Sequence, residues 1–193
     1  MSYSRRVVCF CEDIAHERFI RALIHRAAEV RSTPVEIQVL NATHGSRVWR
    51  EFRQYLREIK KGRQSVPDVL VVVIDGNCKT PAQVRRDIQE EVKKRGLEIP
   101  HLVCAVPDPH IERWYVEDQQ ALKSILPGAK PEKLPYKCER DRYKQGLKNA
   151  IRAAGVEPSL GGAEYGEDVG KALEPSRLDD SFRSFWNDLL AAL

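Results

Sequence analysis

The chain of 193 residues is long enough for one domain with a full hydrophobic core. Apolar residues make up 42% of it and charged residues 31%, which is typical of soluble globular proteins, and no apolar run is long enough for a membrane span. The net charge of +4 permits a polyanionic partner without requiring one. We expect no signal peptide and a cytoplasmic location.

The hydrophobic pattern alternates between strands and helices from the start of the chain. Strands are predicted at 6–11, 34–40, 68–75 and 101–107, and helices at 14–30, 47–62, 80–96 and 110–126. The β-branched run DVLVVVID is typical of a central, buried strand, and Thr80 followed by Pro81 is typical of a helix start. This order predicts an α/β fold with a mostly parallel four-stranded central sheet and helices on both faces.

The pattern changes after the fourth strand, where no further β-branched run appears. Helices are predicted at 139–155 and 179–193, and the glycine-rich stretch between them is predicted to be a loop at 157–168. We therefore expect an α/β core at 1–126 and a helical C-terminal extension at 127–193 that packs on it. In the helix at 110–126 we expect Trp114 to anchor the core, with Glu117 and Asp118 on the outer face.

The five cysteines are odd in number and include no Cys-x-x-Cys pair. Cys9, Cys11 and Cys104 fall in predicted strands. We expect reduced and mostly buried thiols, because neither a disulfide framework nor a zinc site fits this spacing.

Acidic residues follow three of the predicted strands. Glu12 comes after the first strand, Asp75 ends the third, and Asp108 and Glu112 follow the fourth. Ligands gather at the carboxyl ends of parallel strands, and converging carboxylates suit Mg²⁺ or Mn²⁺. Each acid alone could equally be a helix cap or half of an ion pair, and Asp13 is best explained as a cap.

Three motifs resemble the Toprim superfamily, the metal-dependent domain of topoisomerases, bacterial primases and overcoming-lysogenization-defect nucleases. VVCFCEDIAHERFIRAL is similar to its first motif, with Glu12 as the family glutamate, and VVVIDGNCKT is similar to its Asp-x-Asp motif. PDPHIERWYVED is similar to a motif of small stand-alone Toprim-like proteins, with Glu112 before Trp114. KCERDRYK, LGGAEYGED and SFRSFW also resemble that branch.

The resemblance implies a Toprim-like fold and divalent-metal phosphodiester chemistry at Glu12, Asp75 and Glu112. Asn77 and Asp108 would be further ligands or would support the ligands, and Glu17 would be a supporting acid or a distal ligand. Asn77 replaces the second motif aspartate and brings no charge, and Asp13 stands where many family members have glycine. Relatives of this kind act in prokaryotic anti-phage or toxin-like systems, some beside a separate ATPase.

Several basic residues could assist this chemistry. Lys144 could stabilise charge on a phosphate. The nucleic-acid-binding candidates lie mainly on two basic helices and are Arg50, Arg53, Arg57, Lys79, Arg142 and Lys148. Solvated helix faces are the alternative. His16 and His110 could shuttle protons, although a structural role fits each of them better.

The sequence therefore predicts a cytoplasmic nuclease that uses Mg²⁺ or Mn²⁺ to cleave DNA or RNA. Its expected partners are nucleic acid, a separately encoded ATPase and a second copy of the chain in a homodimer, with no membrane. The alternative is a non-catalytic module that binds nucleic acid or the ATPase. A nucleotide-hydrolysing enzyme ranks below both, because the chain has no GxxxxGK[ST] and no GxGxxG.

Overall fold

The computed structural model describes residues 4–139 and 141–193 and confirms the α/β fold. Four strands form one parallel sheet in the order β2-β1-β3-β4. The strands are β1 (Arg5–Cys11), β2 (Val35–Asn41), β3 (Val69–Val73) and β4 (His101–Ala105). The two inner strands, β1 and β3, are buried on both faces, as their continuous apolar runs predict.

Eight α-helices occur in the described residues. They are α1 (Ile14–Val30), α2 (Val48–Lys60), α3 (Pro81–Lys93), α4 (Ile111–Glu117), α5 (Gln119–Ile125), α6 (Arg142–Arg152), α7 (Gly166–Ala172) and α8 (Asp180–Ala192). The helix predicted over 139–155 includes residue 140, which lies outside the described residues. No helix in the part of the chain that the structure describes is long and apolar enough to cross a membrane.

The two faces of the sheet carry unequal layers. Val8 and Phe10 of β1 point into a core closed by α2 and α3. Val7 and Cys9 point into the other core, which α1 and the helices from α4 onward close. Because side chains alternate along a strand, each inner strand contributes to both cores. Helices lie on both faces, as predicted, and the larger layer contains the whole C-terminal part of the chain.

The predicted helix at 110–126 is interrupted at Asp118. This residue is 1% exposed, so its predicted position on an outer face was wrong. Its carboxylate accepts hydrogen bonds from the backbone N–H groups of Gln120 and Ala121 and so caps the start of α5. It also accepts one from the backbone N–H of Glu174 at 2.8 Å. A buried carboxylate needs such partners, and here one of them comes from a segment more than fifty residues away.

The predicted loop at 157–168 was also partly wrong. It contains a 3-10 turn at Ala163–Tyr165 and the start of α7. Gly166, from the predicted loop, and Gly170 permit close packing of α7. A Cβ atom on Gly166 would lie 2.6 Å from the Tyr115 hydroxyl of α4 and 3.2 Å from the backbone nitrogen of Phe19 in α1, and one on Gly170 would lie 2.9 Å from the backbone oxygen of Phe19.

The expectation of reduced cysteines holds for three of the five. Cys9, Cys11 and Cys104 are free and buried. Cys78 and Cys138 form a disulfide, which corrects the prediction for this pair. Sixty residues separate them along the chain, so their proximity depends on the tertiary fold and no local spacing could reveal it.

Candidate metal centre

Glu12 lies at the carboxyl edge of the sheet, immediately after β1. Its backbone N–H donates to the Val73 carbonyl at 3.0 Å, which extends the pairing of β1 with β3 by one residue. One carboxylate oxygen, Oε2, accepts a hydrogen bond from the Asp75 backbone N–H at 2.9 Å. The other oxygen lies against Gly45, where a Cβ atom would come within 2.9 Å of it. A larger residue at position 45 would therefore displace the Glu12 carboxylate.

Asp75 lies just beyond β3, and both of its carboxylate oxygens have partners. Oδ1 accepts a hydrogen bond from the Ile111 backbone N–H at 3.0 Å and lies 3.1 Å from His16 Nε2. Oδ2 lies 3.3 Å from His110 Nδ1. Contacts from α1 and from the start of α4 thus fix the orientation of this carboxylate at the centre of the site.

His16 connects Asp75 to Asp13. It is 2% exposed, and its Nδ1 lies 2.7 Å from Asp13 Oδ1. Asp13 also accepts a hydrogen bond from the His16 backbone N–H, as the predicted helix cap would. One ligand atom each from Glu12, His16 and Asp75 lies within 4.8 Å of the others, a spacing that could hold a metal ion. His16 is therefore both a buried, hydrogen-bonded residue and a candidate ligand, a role that the sequence analysis did not assign to it.

Five predicted site residues line one cleft of about 490 Å³, which we call the acid cleft. They are Glu12, Asp75, Asn77, Glu112 and Lys144. Asn77 also donates a side-chain hydrogen bond to the Asp75 carbonyl at 3.3 Å. The acids come from three strand ends, and the lysine comes from α6 on the far side of the cleft. Glu112 lies outside the ligand-distance group that Glu12, His16 and Asp75 form.

The other two predicted acids point elsewhere. Asp108 lines a neighbouring cleft, where its Oδ1 accepts a hydrogen bond from the Tyr136 hydroxyl at 3.0 Å. Glu17 accepts a hydrogen bond from the side chain of Asn41 at the end of β2. Neither residue lines the acid cleft.

Burial and neighbouring charges shift the pKa values of the carboxyl groups that line the acid cleft. Burial, followed by the charge of Asp75, raises the pKa of Glu12 from 4.5 to about 7. The same two causes raise the pKa of Glu112. Burial opposes ionisation of Asp75, but the charges and hydrogen bonds of His16 and His110 outweigh it and lower the pKa of that carboxyl. A cation would offset the repulsion from Asp75 that contributes to the raised pKa values of Glu12 and Glu112.

The pKa values of His16 and His110 are raised, whereas burial alone would lower the pKa of an imidazole. Burial alone would lower the pKa of His16, but the carboxylates of Asp75 and Asp13 raise it well above 6.5. The hydrogen bond to Asp75 raises the pKa of His110. Protonation of these two imidazoles would supply positive charge that balances Asp75.

The metal-free protein is expected to lose stability as the pH rises from about 5 to about 8. Glu12 and His16 both have folded-state pKa values above their ordinary ones, so the folded state binds more protons in this range and deprotonation disfavours it. The lowered pKa of Asp75 acts only at lower pH, near and below 3.8. Melting temperatures measured with chelator across this pH range test the prediction, and they should fall as the pH rises.

The matched variant for this prediction is Glu12→Gln, which has no carboxyl proton to lose. Its melting temperature should fall less steeply between about pH 4.5 and about pH 7, while the part due to His16 remains. Equal slopes in the variant and the unmodified chain would contradict the assignment to Glu12.

The predicted nucleic-acid-binding residues do not form one surface. Arg50, Arg53 and Arg57 lie on α2, whereas Arg142 and Lys148 lie on α6, which packs on the opposite face of the sheet. Three of the candidate cations also have acidic partners: Arg53 pairs with Glu91 at 3.0 Å, Lys79 with Asp87 at 3.3 Å and Arg142 with Glu139 at 3.4 Å. Among the predicted cations, Lys144 is the one that lines the acid cleft.

A family model matches residues 11–190, from the last residue of β1 to near the end of α8. The chain belongs to the family described as a domain of unknown function, DUF4276. No curated protein and no solved structure matches the chain. The matched range includes both the sheet and the C-terminal helices, so the family spans the whole acid cleft, including Lys144.

Proposed function

We propose that this protein binds Mg²⁺ or Mn²⁺ in the acid cleft and hydrolyses phosphodiester bonds in nucleic acid, as a Toprim-like nuclease. The observation that carries the proposal is the meeting of carboxylates from three strand ends with one lysine in a single cleft. Burial and the charge of Asp75 raise the pKa values of Glu12 and Glu112, as expected for carboxylates gathered at a site for an oxygen-preferring cation.

The residues have distinct roles in this proposal. Glu12 and Asp75 would hold the ion, together with His16 or the amide oxygen of Asn77. When bound, the ion would supply a low-pKa water and charge stabilisation at the phosphate. Lys144 would bind a non-bridging phosphate oxygen from the opposite wall. His110 would keep Asp75 oriented, and Glu112 would hold a proton on its carboxyl group for the leaving oxygen.

A cleavage assay tests this function directly. The unmodified protein, Glu12→Gln and the control Glu36→Gln, an exposed glutamate on β2, are incubated with labelled DNA and RNA. We expect cleavage with Mn²⁺ or Mg²⁺, none with chelator, and a loss of about a hundredfold or more for Glu12→Gln only. Equal cleavage by all three proteins would refute the catalytic assignment.

The same assay addresses the non-catalytic alternative, a Toprim-like module that binds nucleic acid or a partner ATPase. Asn77 favours this alternative, because it removes one charge from the metal site. Binding of nucleic acid without cleavage under every metal condition would support it.

A further inference from the structure

The Cys78–Cys138 disulfide connects a loop that lines the acid cleft to a segment sixty residues further along the chain. Cys78 lies in the loop after β3, three residues beyond Asp75. Cys138 lies in the connecting segment, which we define as residues 127–139 and which contains no helix or strand. The Cα atoms are 5.5 Å apart, an ordinary separation for a disulfide.

Two clefts lie close to this disulfide. Asn77 and Cys78 line the acid cleft. Thr80 and Tyr136, each two residues from a bridged cysteine, line a second cleft of about 700 Å³. The loop after β3 therefore borders both clefts, and the bridge fastens to it the connecting segment, which borders the second cleft. The loop after β4 also serves both, because Asp108 lines the second cleft and His110 lines the acid cleft.

The second cleft offers contacts suited to a nucleotide. The ring of Tyr136 is 57% exposed, and the Arg113 guanidinium lies 5.2 Å from its centre. An exposed ring beside a guanidinium is a sequence-tolerant platform for stacking a base. Arg113 also pairs with Asp179 at 2.8 Å, so the cleft is not strongly cationic and stacking would contribute more than phosphate attraction.

Few contacts other than the disulfide hold the middle of the connecting segment. Residues 135–137 are exposed. The Tyr136 hydroxyl donates to Asp108, and the Lys137 backbone N–H donates to the Tyr143 hydroxyl at 3.2 Å. Single hydrogen bonds of this kind contribute little at a solvated surface. Opening the bridge would therefore leave this part of the segment free to move.

We propose that the Cys78–Cys138 disulfide is a redox-controlled barrier between the acid cleft and the second cleft. With the bridge closed, the acid cleft accepts only short phosphodiesters. With the bridge open, the two clefts join into one groove that accepts a polynucleotide, with a neighbouring base stacked on Tyr136. The inference rests on the proposed function for its cleavage site, but the groove itself can be tested by binding.

The chemistry requires a dithiol reductant. One thiolate of the reductant attacks the exposed Cys78 sulfur, the S–S bond breaks and Cys138 leaves as a thiolate. The second thiol of the reductant then displaces Cys78 from the mixed disulfide. The reductant becomes a disulfide, and two electrons and two protons pass to the protein. The other three cysteines are buried and already reduced.

The test compares oxidised protein, protein reduced with dithiothreitol, and the double variant C78S/C138S. Fluorescence anisotropy measures the binding of DNA and RNA oligonucleotides, and a chromogenic phosphodiester reports hydrolysis of a small substrate. We expect oligonucleotide affinity to rise at least about tenfold on reduction and in the double variant, with little change for the small substrate. The double variant should not respond to dithiothreitol. Circular dichroism verifies that each form is folded.

Two further measurements keep the outcomes separable. Thiol titration of native oxidised protein should find three free thiols. Five free thiols would mean that the disulfide does not form and would overturn the proposal. Tyr136→Ala should weaken oligonucleotide binding about fivefold in reduced protein only. Equal oligonucleotide affinity in oxidised and reduced protein would refute the barrier and leave the proposed nuclease standing. Redox-dependent binding without hydrolysis of either substrate would refute the nuclease and retain the barrier.

Discussion

Replacing Asp75 with asparagine is expected to weaken Mn²⁺ binding by at least about a hundredfold and to abolish measurable cleavage. Asp75 is the central carboxylate of the acid cleft: its two oxygens face His16, His110 and the backbone of Ile111. The amide keeps the shape of the side chain but removes its charge, so the attraction for a cation falls. Isothermal titration with Mn²⁺ measures the affinity, and the melting temperature with and without Mn²⁺ gives a second readout.

The matched control is Asp68→Asn. Asp68 lies immediately before β3, at the opposite edge of the sheet, and accepts a hydrogen bond from the Arg6 backbone N–H at 2.8 Å. The same chemical change near the same strand should therefore leave Mn²⁺ affinity within about twofold of the unmodified value. If both variants keep full Mn²⁺ affinity, Asp75 is not a ligand.

Replacing Trp114 with alanine is expected to lower the free energy of unfolding by about 3–5 kcal/mol. Its ring is fully buried between α4 and α8, 5.0 Å from the ring of Phe182 and 5.8 Å from that of Phe185. Its indole N–H donates to the Ser181 hydroxyl at 3.0 Å. The variant would leave a cavity in the larger core and remove one hydrogen bond from the Ser181 hydroxyl, which still donates to Asp179. Denaturant titration measures the loss.

Trp49→Ala is the matched control, because the same atoms are removed from a half-buried position on α2. Its cost should stay below about 2 kcal/mol, since water already reaches part of this ring. Similar losses in the two variants would mean that α8 does not pack on α4 through Trp114. Because α4 also contains Glu112 and His110 immediately precedes it, loosening of this helix should reach the acid cleft.

The candidate site could be predicted in part, because strand ends can be located from sequence. Glu12 and Asp75 follow apolar runs that form β1 and β3, and adjacent parallel strands end at the same edge of the sheet. His16 and His110 have no such signal. Their roles depend on Asp75, which is 59 and 35 residues away from them along the chain.

The sequence by itself determined the α/β class, the four strands and the amphipathic faces of the long helices, because hydrophobic periodicity and helix caps are local properties. Tertiary structure decided what depends on distant partners. It separated the basic helices α2 and α6 onto opposite faces of the sheet and turned Asp108 away from the acid cleft. It also joined Cys78 to Cys138, because packing, and not spacing along the chain, decides which residues meet.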